Sequence, residues 1–280
     1  MKRMLHGVSG SRGRCLLAGV RGEEPERKEL IMKALITGAT SGIGRDMAAI
    51  LSRMGIDLII ASRDTKKMNQ IARRLPVCVK TITVDLSKES DCYSLYEQTK
   101  NEDIDILINN AGFGAFGYSW EVPLETELNM LDLNIRAVHI LTKLFLADFR
   151  KKDRGYILNV ASSAGFLAGP LMSTYYATKS YVLRLTEAIH EELRQSGSNV
   201  KITALCPGHV ETGFDARANV RHSIGGVSSY KVAKAGIHGM FQGKVVVFPG
   251  LLMKLTYLGE KCLSEPLMLK AAYHAQSKKG

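Results

Sequence analysis

The 280-residue chain has no apolar run near the ~20 residues that a membrane-crossing helix needs, so none is expected. Cysteine is scarce and odd in number: Cys15, Cys78, Cys92, Cys206 and Cys262. With no C-x-x-C and no zinc-ligand spacing, neither a disulfide framework nor a metal site is expected. The expectation is a reduced, cytoplasmic protein. Cys206 ends a predicted strand and reads as a packed small hydrophobe. No Pro/Gly/Ser-rich linker and no internal repeat divides the sequence, which excludes a solenoid or beads-on-a-string layout. Acidic residues are in deficit, 27 against 38 Lys and Arg, for a net charge of +11. Such an excess suits nucleic acid, a membrane surface or an anionic ligand. The basic clusters Lys66-Lys67, Arg73-Arg74 and Arg150-Lys151-Lys152 lie at the ends of predicted helices, where they read as solvated faces. No basic face interleaved with aromatic platforms is visible, so a nucleic-acid partner is not expected.

What the chain does have is 45% hydrophobic residues, enough for one sizeable core. Residues Met1 to Ile31 mix Arg, Gly and Glu without a sustained apolar stretch. They read as a disordered extension before a fold that begins at Met32. Short, nearly continuous apolar runs follow at Ala34–Ile36, Asp57–Ile60, Thr81–Val84, Ile104–Ile108, Tyr156–Val160, Lys201–Leu205 and Lys244–Phe248. Each suits a strand buried on both faces. Helix-length segments lie between most of them: Ile43–Met54, Lys66–Leu75, Glu89–Lys100, Leu131–Lys151 and Thr174–Gln195. Alternation of this kind predicts an α/β fold: a Rossmann-type, doubly wound parallel sheet of about seven strands with helices on both faces. One domain over residues 32–280 is expected, with an amphipathic tail from about residue 249. The helix from Leu131 to Phe149 carries apolar residues on more than one face, which means burial within the monomer or a subunit interface.

The first strand runs directly into Thr37-Gly38-Ala39-Thr40-Ser41-Gly42-Ile43-Gly44, and a helix follows. Glycines there let a backbone approach a pyrophosphate, and the helix N-terminus supplies free N–H groups and positive potential. The spacing is G-x-x-x-G-x-G rather than G-x-G-x-x-G. At the end of the second strand, NAD-binding chains place an acid for the ribose 2′-hydroxyl. Here Ser62 takes that place and Arg63 follows it. A guanidinium suits a 2′-phosphate, so NADP(H) is expected in preference to NAD(H), a surface role for Arg63 being the alternative. Asp64 reads as the cap of the next helix. Asp85-Leu86, after the third strand, offers an acceptor for an adenine amino group or an ordinary cap. Asn109-Asn110-Ala111-Gly112, after the fourth, is small enough for a ribose to lie against the backbone.

Tyr175 and Lys179, at i and i+4, share one face of a predicted helix. An ammonium beside a phenol would lower its pKa from near 10 and fit it for proton transfer. Ser162 lies 13 residues before Tyr175, placed to stabilise charge developing on a substrate oxygen. Asn134, in the long apolar helix, needs partners for its amide; it either holds a water that relays protons toward Lys179 or is structural.

Together these residues resemble the short-chain dehydrogenases/reductases in their compact form. The resemblance runs from Met32 to about Phe248 and rests on Thr37-Gly38-x-x-x-Gly42-x-Gly44, Asp85, Asn109-Asn110-Ala111-Gly112, Asn134, Ser162, Tyr175-x-x-x-Lys179 and Pro207-Gly208-x-x-x-Thr212, all in the family's order. It implies that Tyr175 is the acid/base, Ser162 orients the carbonyl, Lys179 tunes Tyr175 and contacts the nicotinamide ribose, and Asn134 anchors a water relay. It also implies that the backbone after Pro207-Gly208, including Val210, holds the nicotinamide amide together with Thr212. His209 is read as a pocket-edge residue.

The segment Gly112–Gly117 and the tail Val246–Leu252 are similar to a branch compared with 3-oxoacyl and hydroxysteroid reductases, which does not fix a substrate. The amphipathic tail, as cover over an apolar pocket or dimer packing, makes a lipophilic ketone, steroid-like or acyl, the expected substrate, and a homodimer or homotetramer is the expected assembly. The loop Gly213–Ser229, with Arg217, Arg221 and His222, and the apolar tail residues Leu251, Leu252, Met253, Leu255, Tyr257 and Leu258 carry substrate choice in this fold. The tail has three readings: cover over an apolar pocket, dimer packing, or peripheral membrane contact. The competing functional class is an NADP-binding sensor or scaffold without turnover, disfavoured because the serine–tyrosine–lysine set is whole. A sugar epimerase or dehydratase would need a larger C-terminal domain.

Overall fold

The computed structural model describes residues 32–212, 214, 218, 226–250, 257 and 264–278. Seven parallel strands form one sheet: β1 (Lys33–Thr37), β2 (Asp57–Ser62), β3 (Val79–Thr83), β4 (Ile106–Asn109), β5 (Tyr156–Val160), β6 (Lys201–Leu205) and, after a separate short pair β7 (Val210–Glu211) and β8 (Val227–Ser228), β9 (Val246–Val247). The order in the sheet is β3-β2-β1-β4-β5-β6-β9. Leu35 of β1 stands between Ile59 of β2 and Leu107 of β4. The winding reverses there, between β1 and β4, which opens a crevice at the carboxyl ends of the strands.

Alternation along each strand feeds two cores, one on each face. Ala34, Ile36, Leu58, Ile60, Ile106 and Ile108 pack on helices α1 (Gly42–Arg53) and α7 (Ser229–Phe241) through Met47, Leu51, Val232 and Ile237. Leu35, Ile59, Leu107, Ile157 and Ile202 face the other way. They pack on α3 (Glu89–Glu97), α5 (Ala137–Lys152) and α6 (Ser173–Gln195) through Leu95, Leu141, Phe145 and Leu193. The seven expected strands and the helix starts near Gly42, Thr65 (α2, Thr65–Ala72) and Ser173 are all present. Asp64 caps α2 as expected, accepting from the Lys67 amide at 2.9 Å. Cys206 is fully buried, and burial pushes its thiol up to about 12.

The segment expected as one helix from Leu131 to Lys151 differs. It begins at α4 (Leu124–Leu131), passes through a π turn at Asp132–Arg136, and only then becomes α5. Within the π turn the Ala137 amide donates to the Asp132 carbonyl, five residues back. Leu124 and Leu128 are exposed, so α4 carries no core-facing apolar stripe that the sequence could announce. Within the single chain, α5 buries one stripe, Val138, Leu141, Phe145 and Phe149, while His139 and Lys143 stay exposed. A helix α8 (Glu265–Ser277) lies in the tail. Residues 1–31, most of the loop after Thr212 and most of the apolar tail stretch lie outside the described residues.

A buried polar network joins the sheet centre to its helices. Asn109 Nδ2 donates to Thr142 Oγ1 of α5 and Asn159 Oδ1 of β5, and Asn159 Nδ2 donates to Thr186 Oγ1 of α6. Loss of one member leaves the others desolvated without partners. Asn159→Ala is therefore expected to lower unfolding stability by about 3 kcal/mol in denaturant titration. A loss under ~1 kcal/mol would show that the network contributes little beyond packing.

Candidate active site

The turn after β1 is shaped for close backbone approach. Gly38 and Gly42 have φ of +68° and +53°, and a Cβ on Gly44 would lie 2.4 Å from Asn110 Nδ2 and 2.7 Å from the Gly38 carbonyl. The Asn110 amide braces this turn, donating to the Thr37 and Gly38 carbonyls at 3.0 Å each. Thr37 Oγ1 accepts from the Asn110 and Ala111 amides, locking the end of β4 to the end of β1. Ser41, exposed at the start of α1, makes no side-chain cap bond, so its side chain satisfies none of the N–H groups of that first turn. Thr40 and Ile43 flank the turn half-buried. A cradle with no room for side chains at the mouth of a helix fits a pyrophosphate.

At the end of β2, the Arg63 side chain is 69% exposed and stands 4.0 Å from Asp85 Oδ2. Asp85 Oδ1 accepts from the Ser87 amide and hydroxyl at 3.2 and 2.8 Å, while the Leu86 side chain is buried in the core. On the far side of the crevice, Val210 and Glu211 of β7 pair with Val227 and Ser228 of β8. Thr212 lies over the glycine turn, its Cγ2 2.8 Å from where a Cβ on Gly42 would be, and its Oγ1 accepts from the Phe214 amide at 3.2 Å. The Pro207 carbonyl accepts from the Ser163 amide at 2.8 Å, which ties the Pro207-Gly208 segment to the serine loop.

Ser162, Tyr175 and Lys179 converge as expected. Ser162 follows β5 and caps a short 3-10 turn, accepting from the Ala164 amide at 3.1 Å, and its side chain lies near enough to the Tyr175 phenol to hold its pKa down. A Cβ on Gly165, in that turn, would lie 2.7 Å from the Lys179 carbonyl oxygen, so α6 lies backbone against backbone on the serine loop. Lys179 carries its ammonium inside, donating to the Val160 carbonyl at 2.9 Å, 5.9 Å from the centre of the Tyr175 ring. Gly112 clears the space above it: a Cβ there would lie 3.5 Å from Lys179 Nζ and 2.9 Å from Asn134 Oδ1.

A family model described as short chain dehydrogenase matches residues 32–223. This chain is a short-chain dehydrogenase. A very-long-chain 3-oxoacyl-CoA reductase of Homo sapiens is 32% identical over 191 residues, 64% of this chain and 59% of that protein. A short-chain dehydrogenase from Sphingobium yanoikuyae, solved in complex with NADPH, superposes with a TM-score of 0.77 at 28% identity, covering 85% of this chain and 95% of that one. A short-chain dehydrogenase/reductase from Burkholderia phymatum, solved with NAD, gives 0.74 at 25% identity, covering 81% and 92%. The chain is thus an oxidoreductase of the kind that acts on CH–OH groups, and its fold is one that takes a nicotinamide cofactor. No helix among the described residues is long and apolar enough to cross a membrane.

Two further residues of this short-chain dehydrogenase have their surroundings defined. Asn134 is fully buried, and its whole amide is engaged: Oδ1 accepts from the Phe113 amide, and Nδ2 donates to the Phe113 carbonyl at 2.8 Å and Thr178 Oγ1 at 3.1 Å. Both ends of that amide are thus tied to protein groups, as the structural alternative for this residue requires. Burial pushes the Tyr175 phenol up to about 12, with Ser162 opposing, while the Lys179 ammonium donates to Val160. Burial likewise draws Lys179 down to about 8, the Cys206 thiol opposing.

Sequence reasoning missed Phe214 and Gly114, which wall the phenol. The Phe214 and Tyr175 rings lie 5.2 Å apart, and a Cβ on Gly114 would come within 2.8 Å of Phe214 Cζ and 3.1 Å of Tyr175 Cδ2. The glycine between Phe113 and Ala115 was a signal that only the packing could interpret. Thr178 was missed for the same reason.

Lys179 titrates well below the unfolded value of ~10.4, so its burial opposes folding fully below about pH 8 and ceases to do so as pH rises to that unfolded value. Lys179→Met is expected to raise thermal stability near neutral pH, by an amount on the order of 2 kcal/mol, and the advantage should shrink toward pH ~10. A gap between the two proteins that does not change with pH would contradict the buried-ammonium account.

Proposed function

We propose that this short-chain dehydrogenase reduces a lipophilic ketone, of 3-oxoacyl or steroid-like character, with NADPH as the preferred cofactor. The observation that carries the reading is the meeting of Ser162, Tyr175 and Lys179 beside a crevice whose glycine turn has no room for side chains. When bound, the nicotinamide supplies the hydride that reaches the carbonyl carbon. Tyr175, protonated far above neutral pH by its burial, gives its phenolic proton to the oxygen on which charge develops. Ser162, beside that phenol, donates to the same oxygen and fixes its position. Lys179 uses one ammonium donor on Val160, which leaves two for the hydroxyls of the nicotinamide ribose. Gly112 provides the clearance for that approach. Asn134 is a positioning residue in this account: it clamps the Phe113 backbone beside Gly112 and Gly114.

The NADP preference rests on Arg63, exposed at the end of β2 with Ser62 in the place of an acid. A guanidinium held only loosely by Asp85 is free to pair with a 2′-phosphate. NAD(H) is the alternative cofactor. Apolar walls of Phe214, Gly114 and Tyr176 near the phenol favour a lipophilic substrate over a small polar sugar. The 3-oxoacyl character agrees with the name of the human relative. A cytoplasmic homodimer or homotetramer is the assembly we infer, with the open face of α5 around His139 as the surface for a second copy.

Tyr175→Phe should lower kcat for ketone reduction by about a thousandfold, with NADPH affinity by fluorescence titration nearly unchanged. A variant with substantial turnover would remove Tyr175 from the acid role. Arg63→Ala should raise the KM for NADPH about tenfold and leave that for NADH nearly unchanged. Equal weakening of both would return Arg63 to an ordinary surface residue.

A further inference from the structure

Helix α8 inverts the usual pattern of a surface helix. Its Leu267 and Tyr273 are 57% and 43% exposed, while Gln276 is 3% exposed. Gln276 is the one buried side chain among the described residues of that helix. Its Nε2 donates to the Tyr176 hydroxyl, and its Oε1 is buried with no hydrogen-bond partner. Rotating the amide by half a turn exchanges the two arms and still leaves one of them idle.

The location gives the idle arm a meaning. Tyr176 follows the phenol that we assign as proton donor, and the two rings meet edge-on with centroids 6.2 Å apart. Tyr118 and Tyr273 share a hydrogen bond of 3.0 Å, which draws α8 onto the loop that carries Gly112 and Gly114. The same loop is tied to the segment before α6 through the Gly117 amide and the Leu171 carbonyl, and to Ala218 through the Phe116 amide. Gln276 is therefore one side chain removed from Tyr175, through the Tyr176 ring that it hydrogen-bonds.

A buried amide arm without a partner is costly, and native proteins seldom keep one. Leucine or methionine would pack at this position without that cost. We propose that Gln276 is a specificity-determining residue, whose idle amide arm hydrogen-bonds a hydroxyl that the substrate carries away from its reacting carbonyl. A hydroxyl both donates and accepts, so it satisfies either arm of the amide. A cleft that hydrogen-bonds a substrate hydroxyl discriminates against the analogue lacking it, since the protein group is then left unpaired. The inference rests on the ketone-reductase reading and narrows it to hydroxyketones.

The test uses the full chain with NADPH and a series of hydroxyketones that differ in the number of carbons between hydroxyl and carbonyl, each beside its deoxy counterpart. For at least one spacing, the wild type should show a KM about tenfold lower for the hydroxyketone. Gln276→Met should raise that KM to the deoxy value, with kcat and the kinetics of the deoxy ketone unchanged. Gln276→Asn withdraws the amide by one methylene and should lose the same preference, which keeps the test available if the methionine variant does not fold. A wild type with no hydroxyl preference, or variants that change both ketones equally, would overturn the assignment of Gln276 and leave the reductase reading standing. A wild type that oxidises NADPH with none of the ketones would overturn the reductase reading and this inference with it.

Discussion

The arrangement of the site depends on one buried ammonium. Lys179 carries a positive charge into the interior and holds it on the Val160 carbonyl at the end of β5, 2.9 Å away. Burial disfavours that charge, as its depressed pKa shows, so its surroundings have to be built closely around it. Gly165 lets the α6 backbone touch the serine loop, Gly112 leaves room above the ammonium, and Asn134 fixes the loop through both backbone groups of Phe113. Those constraints set Ser162 against Tyr175. Polar chemistry here is held by backbone contacts between close-packed segments rather than by ion pairs.

The cofactor end obeys a similar logic with glycine in place of charge. The turn from Gly38 to Gly44 is pulled against the end of β4 by Asn110 and Thr37, and the contact distances leave no room for a Cβ at Gly44. Arg63 contrasts with this. It is exposed and loosely paired, as suits a group that meets an anionic partner. A rigid cradle for the pyrophosphate beside a long, exposed cation for a 2′-phosphate is the division of labour we propose at the reversal of strand order between β1 and β4.

The sheet was legible because strands buried on both faces must be nearly continuous in apolarity, and seven such runs stand out from Ala34 to Phe248. The convergence of Ser162, Tyr175 and Lys179 was legible through spacing, helped by the family resemblance. The break between α4 and α5 was not, because a π turn changes backbone pairing without changing which residues are apolar, and Leu124 and Leu128 of α4 face outward. The engagement of the whole Asn134 amide was hidden too, since its partner Phe113 lies 21 residues away and contributes only backbone. The direction of the Tyr175 shift could not be read from the i and i+4 spacing, because that spacing is silent on how far the phenol is buried. Gln276 carried no motif at all; only its burial on an otherwise exposed helix marks it.

The central claim is that hydride passes from the nicotinamide to a carbonyl carbon beside Tyr175. The most direct measurement follows deuterium from NADPH labelled at the nicotinamide C4 position into the product of a ketone incubation, read by mass spectrometry and NMR. The account predicts one deuterium on the carbinol carbon and oxidised NADP in equal amount. Tight binding of the labelled cofactor with no deuterium in any alcohol, across ketones of both acyl and polycyclic shape, would contradict it.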